Sequence, residues 1–262
     1  MSELDDLFEQ PRTGRKSTPL RSGFLSKNKM MVIVVPSIIL LMIVGAVLWS
    51  MVTYPVVQVS QPPRNTPTPN MLTAALINSP VLGNLSEAEA KTLQWMREEE
   101  KLARDVYLEM HSRWGVKIFN SISRSEQRHM DAMAMMLQRY QIPDPVTHDR
   151  HGAFLNESLA KSYQTLIARG MKSMDEALVV GGLIEEMDIA DLEEAIRTSL
   201  HPDLNQVYEA LRQGSFNHLR AFVHGLELRG TSYQPVKMSP QALDTILHSP
   251  METGPMWNGR PL

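Results

Sequence analysis

Glu126 and His129 stand three residues apart on a methionine-rich stretch with helical periodicity. At that spacing a carboxylate and an imidazole leave a helix on the same side, about one turn apart. Helical bundles present metal ligands to their cores in this way. The stripe Ile122, Glu126, His129, Met133, Leu137 and Tyr140 keeps to three- and four-residue steps, so both polar groups lie on an apolar face. Three other segments repeat the pattern. Trp95, Glu99, Leu102 and Val106 form one stripe, which selects Glu99 and assigns Glu98 and Glu100 to a solvated face. Leu178, Gly181, Gly182, Glu185, Asp188, Ile189 and Leu192 form another, leaving Glu186, Glu193 and Glu194 outside. Leu211, Ser215, His218 and Phe222 form the last.

Carboxylates and imidazoles do not share an apolar interior unaided, because buried like charges repel and each ion loses its hydration. Two divalent cations would balance the four negative charges of Glu99, Glu126, Glu185 and Asp188. With His129 and His218 added, these oxygen and nitrogen donors suit iron, or manganese, better than a soft metal. There are no cysteines, which removes thiolate sites, disulfides and a cysteine nucleophile. Plainer readings stand beside each of these residues. Ser123 and Glu126 fit a capping box, Glu99 fits a surface ion pair, and His218 alone fits a satisfied core histidine. The 18 methionines, dense from Met130 to Met136, fit core filling better than copper binding. His148, Asp149 and His151 form a polar loop cluster, Gly181 and Gly182 a close helix approach, and Tyr107, Tyr140 and Tyr208 packing with a bonded hydroxyl.

Four long helices must carry these residues. The first opens at the capping box Ser86 to Glu89 and stops at Gly115; the second begins near Phe119 or Asn120 and ends at Pro143. A polar segment and a short helix from Leu159 to Ala168 follow, and a second capping box, Ser173 to Glu176, opens the third long helix. Pro202 marks a break before the fourth, which runs from about Leu204 to Glu227. Short, long and short connections predict two antiparallel pairs joined by a crossover. The bundle spans 71–235, and the proline-containing tail 236–262 shows no clear periodicity.

Four segments in this order, MREEEKLARDVY (96–107), SEQRHMDA (125–132), IEEMDIADL (184–192) and GSFNHLRAF (214–222), resemble a functionally uncharacterised bacterial and archaeal branch of the ferritin-like superfamily. The resemblance covers roughly 85–235 and implies an all-α, ferritin-like four-helix bundle. Such proteins generally draw one glutamate from each of two helices and a Glu-x-x-His pair from each of the other two. By that resemblance Glu99 and Glu185 are the single glutamates, Glu126 with His129 is one pair, and His218 is the histidine of the other. Ser215 stands where the pattern has its last glutamate, and Asp188, one turn from Glu185, is the candidate to restore the missing carboxylate. The implied activity is ferrous oxidation or dioxygen or peroxide chemistry at two iron ions. The alternative is a non-catalytic helical module, metal-stapled or metal-free.

The chain has 262 residues, 43% hydrophobic, with a net charge of −3 and interspersed signs that give no case for nucleic acid. Residues 1–29 read as a disordered cytoplasmic tail. The uncharged run across 30–50 is long enough for a transmembrane helix. Arg12, Arg15, Lys16, Arg21, Lys27 and Lys29 precede it, so the positive-inside rule keeps the N-terminus cytoplasmic and exports the bundle. Residues 46–51 offer no clean small-x-small cleavage site, which favours an anchor over secretion after signal cleavage. The proline-rich stretch 51–70 reads as a stiff linker. A homo-oligomer is compatible with this reading, and no protein partner is legible.

Overall fold

A computed structural model describes residues 83–251. The expected tail, transmembrane helix and linker, and the start of the bundle at position 71, lie outside these residues. Among the described residues there are six helices and no strand, and none of the helices is long and apolar enough to cross a membrane.

Helix α1 (Glu87–Trp114) starts at the predicted capping box, with Ser86 and Glu89 each accepting the other's backbone N–H. It ends at Gly115, whose φ of 70° lies in the left-handed region that glycine enters without steric cost. Val116 then leads into α2 (Lys117–Arg139). Because α2 begins before Phe119, Glu126 sits in the helix interior and has no capping role. After α3 (Glu157–Gly170), α4 (Met174–Thr198) is capped by Ser173, and α5 (Pro202–Glu227) carries its proline in the first turn, where no N–H is missed.

Each of the four long helices packs against two others: α1 on α2 and α4, and α5 on α4 and α2. Cross-contacts give the directions. Along α1, Trp95 meets Asp191 and Tyr107 meets Glu185. Along α2, Glu126 meets His218 and Tyr140 meets Asp203. Every adjacent pair is therefore antiparallel, and α2 and α4 run parallel across the diagonal. A chain leaving the end of α2 must climb the whole bundle before α4 can begin, which is why this connection is long and carries α3 against α1 and α4.

The outer face of α1 grips that crossover. Gln94 donates to the Pro143 carbonyl, Arg97 pairs with Asp144, Lys101 donates to the Arg150 carbonyl, and Arg104 pairs with Asp149. Glu98 accepts the backbone N–H groups of Leu155 and Asn156 at 2.5 and 3.0 Å. The expectation that Glu98 faces solvent is thereby corrected: it is 4% exposed, because the returning chain covers it. Asp149 and His151 are engaged by Arg104 and Glu109 within the same lattice of bonds.

Leu93, Met96, Met133, Met136, Leu137, Leu192, Val207 and Leu211 fill one end of the bundle, giving the methionines the expected core role. The Tyr107, Phe119 and Phe222 rings cluster at 5.1–6.4 Å at the other end. Gly181 and Gly182 allow close approach: a β-carbon there would come within 2.5 Å of Phe222 and 2.6 Å of Tyr233. The fold also continues past position 235, since α6 (Pro240–His248) packs on α5, with Arg220 donating to the Ile246 carbonyl. Glu186 holds the approach to α6 by accepting from Tyr233 and from the backbone of Val236, Lys237 and Met238. It is fully buried, and its expected place on the outer face is corrected by this segment lying over it.

Candidate metal centre

Midway along the bundle, α2 and α5 face each other through Glu126 and His218, and α1 and α4 close the other two sides. Glu126 lies between two imidazoles. Its Oε2 is 2.8 Å from His129 Nδ1 and its Oε1 is 2.8 Å from His218 Nδ1. Each histidine then meets a second carboxylate, His129 with Glu100 at 3.3 Å and His218 with Glu185 at 3.4 Å. Two triads result, Glu100–Glu126–His129 and Glu126–Glu185–His218, each with its donor atoms within 4.8 Å of one another and all its residues buried. The histidine rings stack at 5.5 Å.

Local sequence explains the placement. Gly214 lets the His129 ring lie against α5, since a β-carbon there would come within 2.7 Å of Nε2. Tyr107 donates to Glu185 Oε1 at 2.5 Å and so fixes that carboxylate from α1. Ser215 shares its one hydroxyl proton between the Leu211 carbonyl and Asp188, which brings Asp188 to the position where the side chain at 215 is short.

The structure brings Glu126, His129, Glu185 and His218 into the two triads, while Asp188 joins neither and lines the small void beside them, as Glu99 does. It does not bring Glu99 into either triad; Glu100 takes that place. Glu99 is buried one step away, where Trp95 Nε1 donates to it at 3.2 Å and to Asp191 at 2.8 Å. The amphipathic pattern could not distinguish the neighbours, because α2, α4 and the crossover with α3 enclose α1 and every residue from Met96 to Tyr107 is buried. A stripe of Leu93, Met96, Glu100, Ala103, Tyr107 and Met110 has the same spacing and is the one that meets the triads.

The electrostatics are those of crowded, dehydrated acids. Burial raises Glu100 to about 7 although His129 pulls the other way. Burial also raises Glu185, and with the repulsion of Glu100 and Glu185 it holds Asp188 well above the carboxylate range. Glu99 is lifted likewise by burial, then by Asp191 and Asp188. For Glu126 burial is outweighed by His218 and His129, which hold it below its usual range. The imidazoles respond in kind: burial opposes their charge, yet Glu126 and Glu185 lift His218 to about 10, and Glu100 and Glu126 raise His129.

The donor set also fits cations geometrically. Glu100 Oε1, Glu126 Oε1, Asp188 Oδ1 and His218 Nδ1 are buried without a hydrogen-bond partner. The 2.8 Å approach of Glu126 to His218 is therefore close without being aligned as a hydrogen bond. Donors about 2.0–2.2 Å from a shared first-row ion lie about 2.8–3.6 Å apart, and the four histidine-to-carboxylate separations of 2.8, 3.3, 2.8 and 3.4 Å fall in that range.

Comparison with known proteins places the chain in a family. The chain is similar to "Uncharacterized protein MJ0754" of Methanocaldococcus jannaschii, 46% identical over 170 residues, which are 65% of this chain and 92% of the relative. The crystal structure of hypothetical protein MJ0754 from Methanococcus jannaschii DSM 2661 aligns with a TM-score of 0.65 at 45% identity, covering 66% of this chain and 99% of that one. A family model described as "Uncharacterized protein domain (DUF2202)" matches residues 89–250, from the first turn of α1 through α6. With most of the chain inside that match, the protein belongs to the DUF2202 family.

Proposed function

We propose that this protein is a ferritin-like di-metal protein whose centre holds two iron ions, with manganese as the alternative, and serves ferrous oxidation or dioxygen or peroxide chemistry. The observation that carries the reading is the pair of triads sharing Glu126, with buried donor atoms left unpartnered around it. Glu100, His129 and one oxygen of Glu126 would hold one ion; Glu185, His218 and the other oxygen would hold the second. Asp188, held by Ser215, would supply the fourth carboxylate. Bound iron supplies one-electron redox chemistry toward oxygen species. The protein's part is to orient Glu185 through the Tyr107 hydroxyl, to offer Glu126 to both triads, and to exclude bulk water. An N-terminal anchor that places the bundle outside the cytoplasm belongs to the same proposal.

Metal analysis of the purified chain after anaerobic reconstitution with ferrous iron tests the centre. Two equivalents are expected in the parent, none in Glu126→Ala and one in His218→Ala. No retained metal in the parent overturns the centre. Oxygen uptake on exposure to air is the expected sign of catalysis. Retained metal with no uptake, together with a melting temperature that falls on chelation, makes the ions a structural staple instead.

A further inference from the structure

The centre is sealed along the bundle axis by the Met96, Met133, Leu192 and Leu211 cluster on one side and by the Tyr107, Phe119 and Phe222 rings on the other. Gly214 is closed by the His129 ring and Gly182 by Tyr233. Between α1 and α4 the wall differs. A groove of about 800 Å³ opens there, with Trp95, Asp191, Glu194, Pro145 and Leu155 in its lining. Trp95 Nε1 donates to Asp191 Oδ2 in that groove and also to Glu99 Oε2 beneath it, so one N–H gathers two carboxylates at the boundary. The other oxygen of Glu99 has no partner although the residue is only 2% exposed. Glu99 lines the small void that it shares with Glu100, Glu126, Glu185 and Asp188. Asp188 Oδ1, in the lining of the same void, is unpartnered as well.

We propose that divalent cations enter the centre from this groove, passing from Asp191 to Glu99 and from Glu99 to Asp188, with Glu99 as a transit ligand. The proposal rests on the di-metal reading above and gives its extra buried carboxylate a role. A cation leaving water loses its hydration shell in steps, and each step needs an oxygen ligand in place before the previous one is released. Asp191 supplies such an oxygen at the half-buried boundary, Glu99 within the wall, and Asp188 at the centre. Trp95 keeps the first two from splaying apart.

The test follows cobalt(II) loading of the full chain by stopped-flow visible absorption, with equilibrium dialysis for stoichiometry. Loading is expected to slow by about tenfold or more in Glu99→Gln and in Asp191→Asn, the scale on which a charged cleft alters on-rates. Stoichiometry should stay at that of the parent. Glu194→Gln, which removes an equal charge from the same groove, should load at the parent's rate. Unchanged rates in Glu99→Gln and Asp191→Asn overturn the route while leaving a loaded centre intact. Slowing by Glu194→Gln to the same extent also overturns it, because a general field would then suffice. Loss of an equivalent in Glu99→Gln makes Glu99 a permanent ligand and overturns transit. A parent that takes up no cobalt overturns the centre itself, and the route with it. Asp191→Asn keeps the test decisive if Glu99→Gln does not fold.

Discussion

Glu126 touches both histidines with different oxygens, so it is the one side chain that belongs to both halves of the centre. Asp188 has a different dependence: its position follows from the short side chain at 215, whose hydroxyl donates to it. Asp188→Asn keeps the volume but removes the charge, and is expected to reduce retained iron from two equivalents toward one by metal analysis. Full retention would show that Asp188 does not replace the carboxylate missing at Ser215. Much at this scale was legible because Glu126, His129, Glu185, Asp188 and His218 fall on helical faces whose other members are apolar. The pairing of Glu126 with both imidazoles was not legible, since periodicity gives the face of a helix and not the depth to which a side chain reaches across the bundle. Glu98 and Glu186 were missed for a related reason. Each is covered by a segment distant in sequence, so a polar neighbourhood in the chain became a buried one in the fold. Glu100 was missed because α1 is buried all round.

Among the elements, α2 carries the clearest amphipathic pattern and α1 the least informative one, and the two outcomes follow from their surroundings. Helix α1 is enclosed by α2, α4 and α3, so its charged residues serve as interior struts for the crossover and do not mark an outer face. Helix α5 contributes by absence, because Gly214 leaves the space that the His129 ring occupies. Gly214→Ala places a β-carbon 2.7 Å from His129 Nε2, closer than such contacts normally come. Alanine favours the helix by about 0.5–1 kcal/mol, so helicity by far-UV circular dichroism should be kept while the ion at the Glu100–His129 position is lost. Metal content equal to that of the parent would show that the ring has room to move. The helix boundaries themselves were readable wherever a cap announced them, at Ser86, Gly115, Ser173 and Pro202. Helix α6 escaped because its nine residues are too few for a periodicity to stand out.

The molecule as a whole is tied at one end by Glu89, which accepts from Ser86 at the start of α1, from Leu200 after α4, and from His201 before α5. Burial pushes its carboxyl up, but His201 and the N–H groups outweigh burial and bring it to about 2 from the ordinary 4.5. A depressed carboxylate of this kind contributes fully above pH 4.5, and its contribution fades as pH falls toward about 2. Glu89→Gln should therefore cost about 1–3 kcal/mol at neutral pH and flatten the acid limb of thermal stability in that window. An acid limb that matches the parent would exclude Glu89 as its source. The four-helix order and the need for a crossover were readable from unequal loop lengths, whereas the path of that crossover along α1 depends on side-chain bonds that no spacing announces. The hairpins divide the acids evenly, with Glu100 and Glu126 on the α1–α2 pair and Glu185 and Asp188 on the α4–α5 pair. Each hairpin joins near neighbours in sequence and closes quickly, while their docking waits on the long connection. The last stage of folding then buries the acids of both hairpins together, and under the di-metal reading the same ions that equip the finished protein would also offset the cost of dehydrating them.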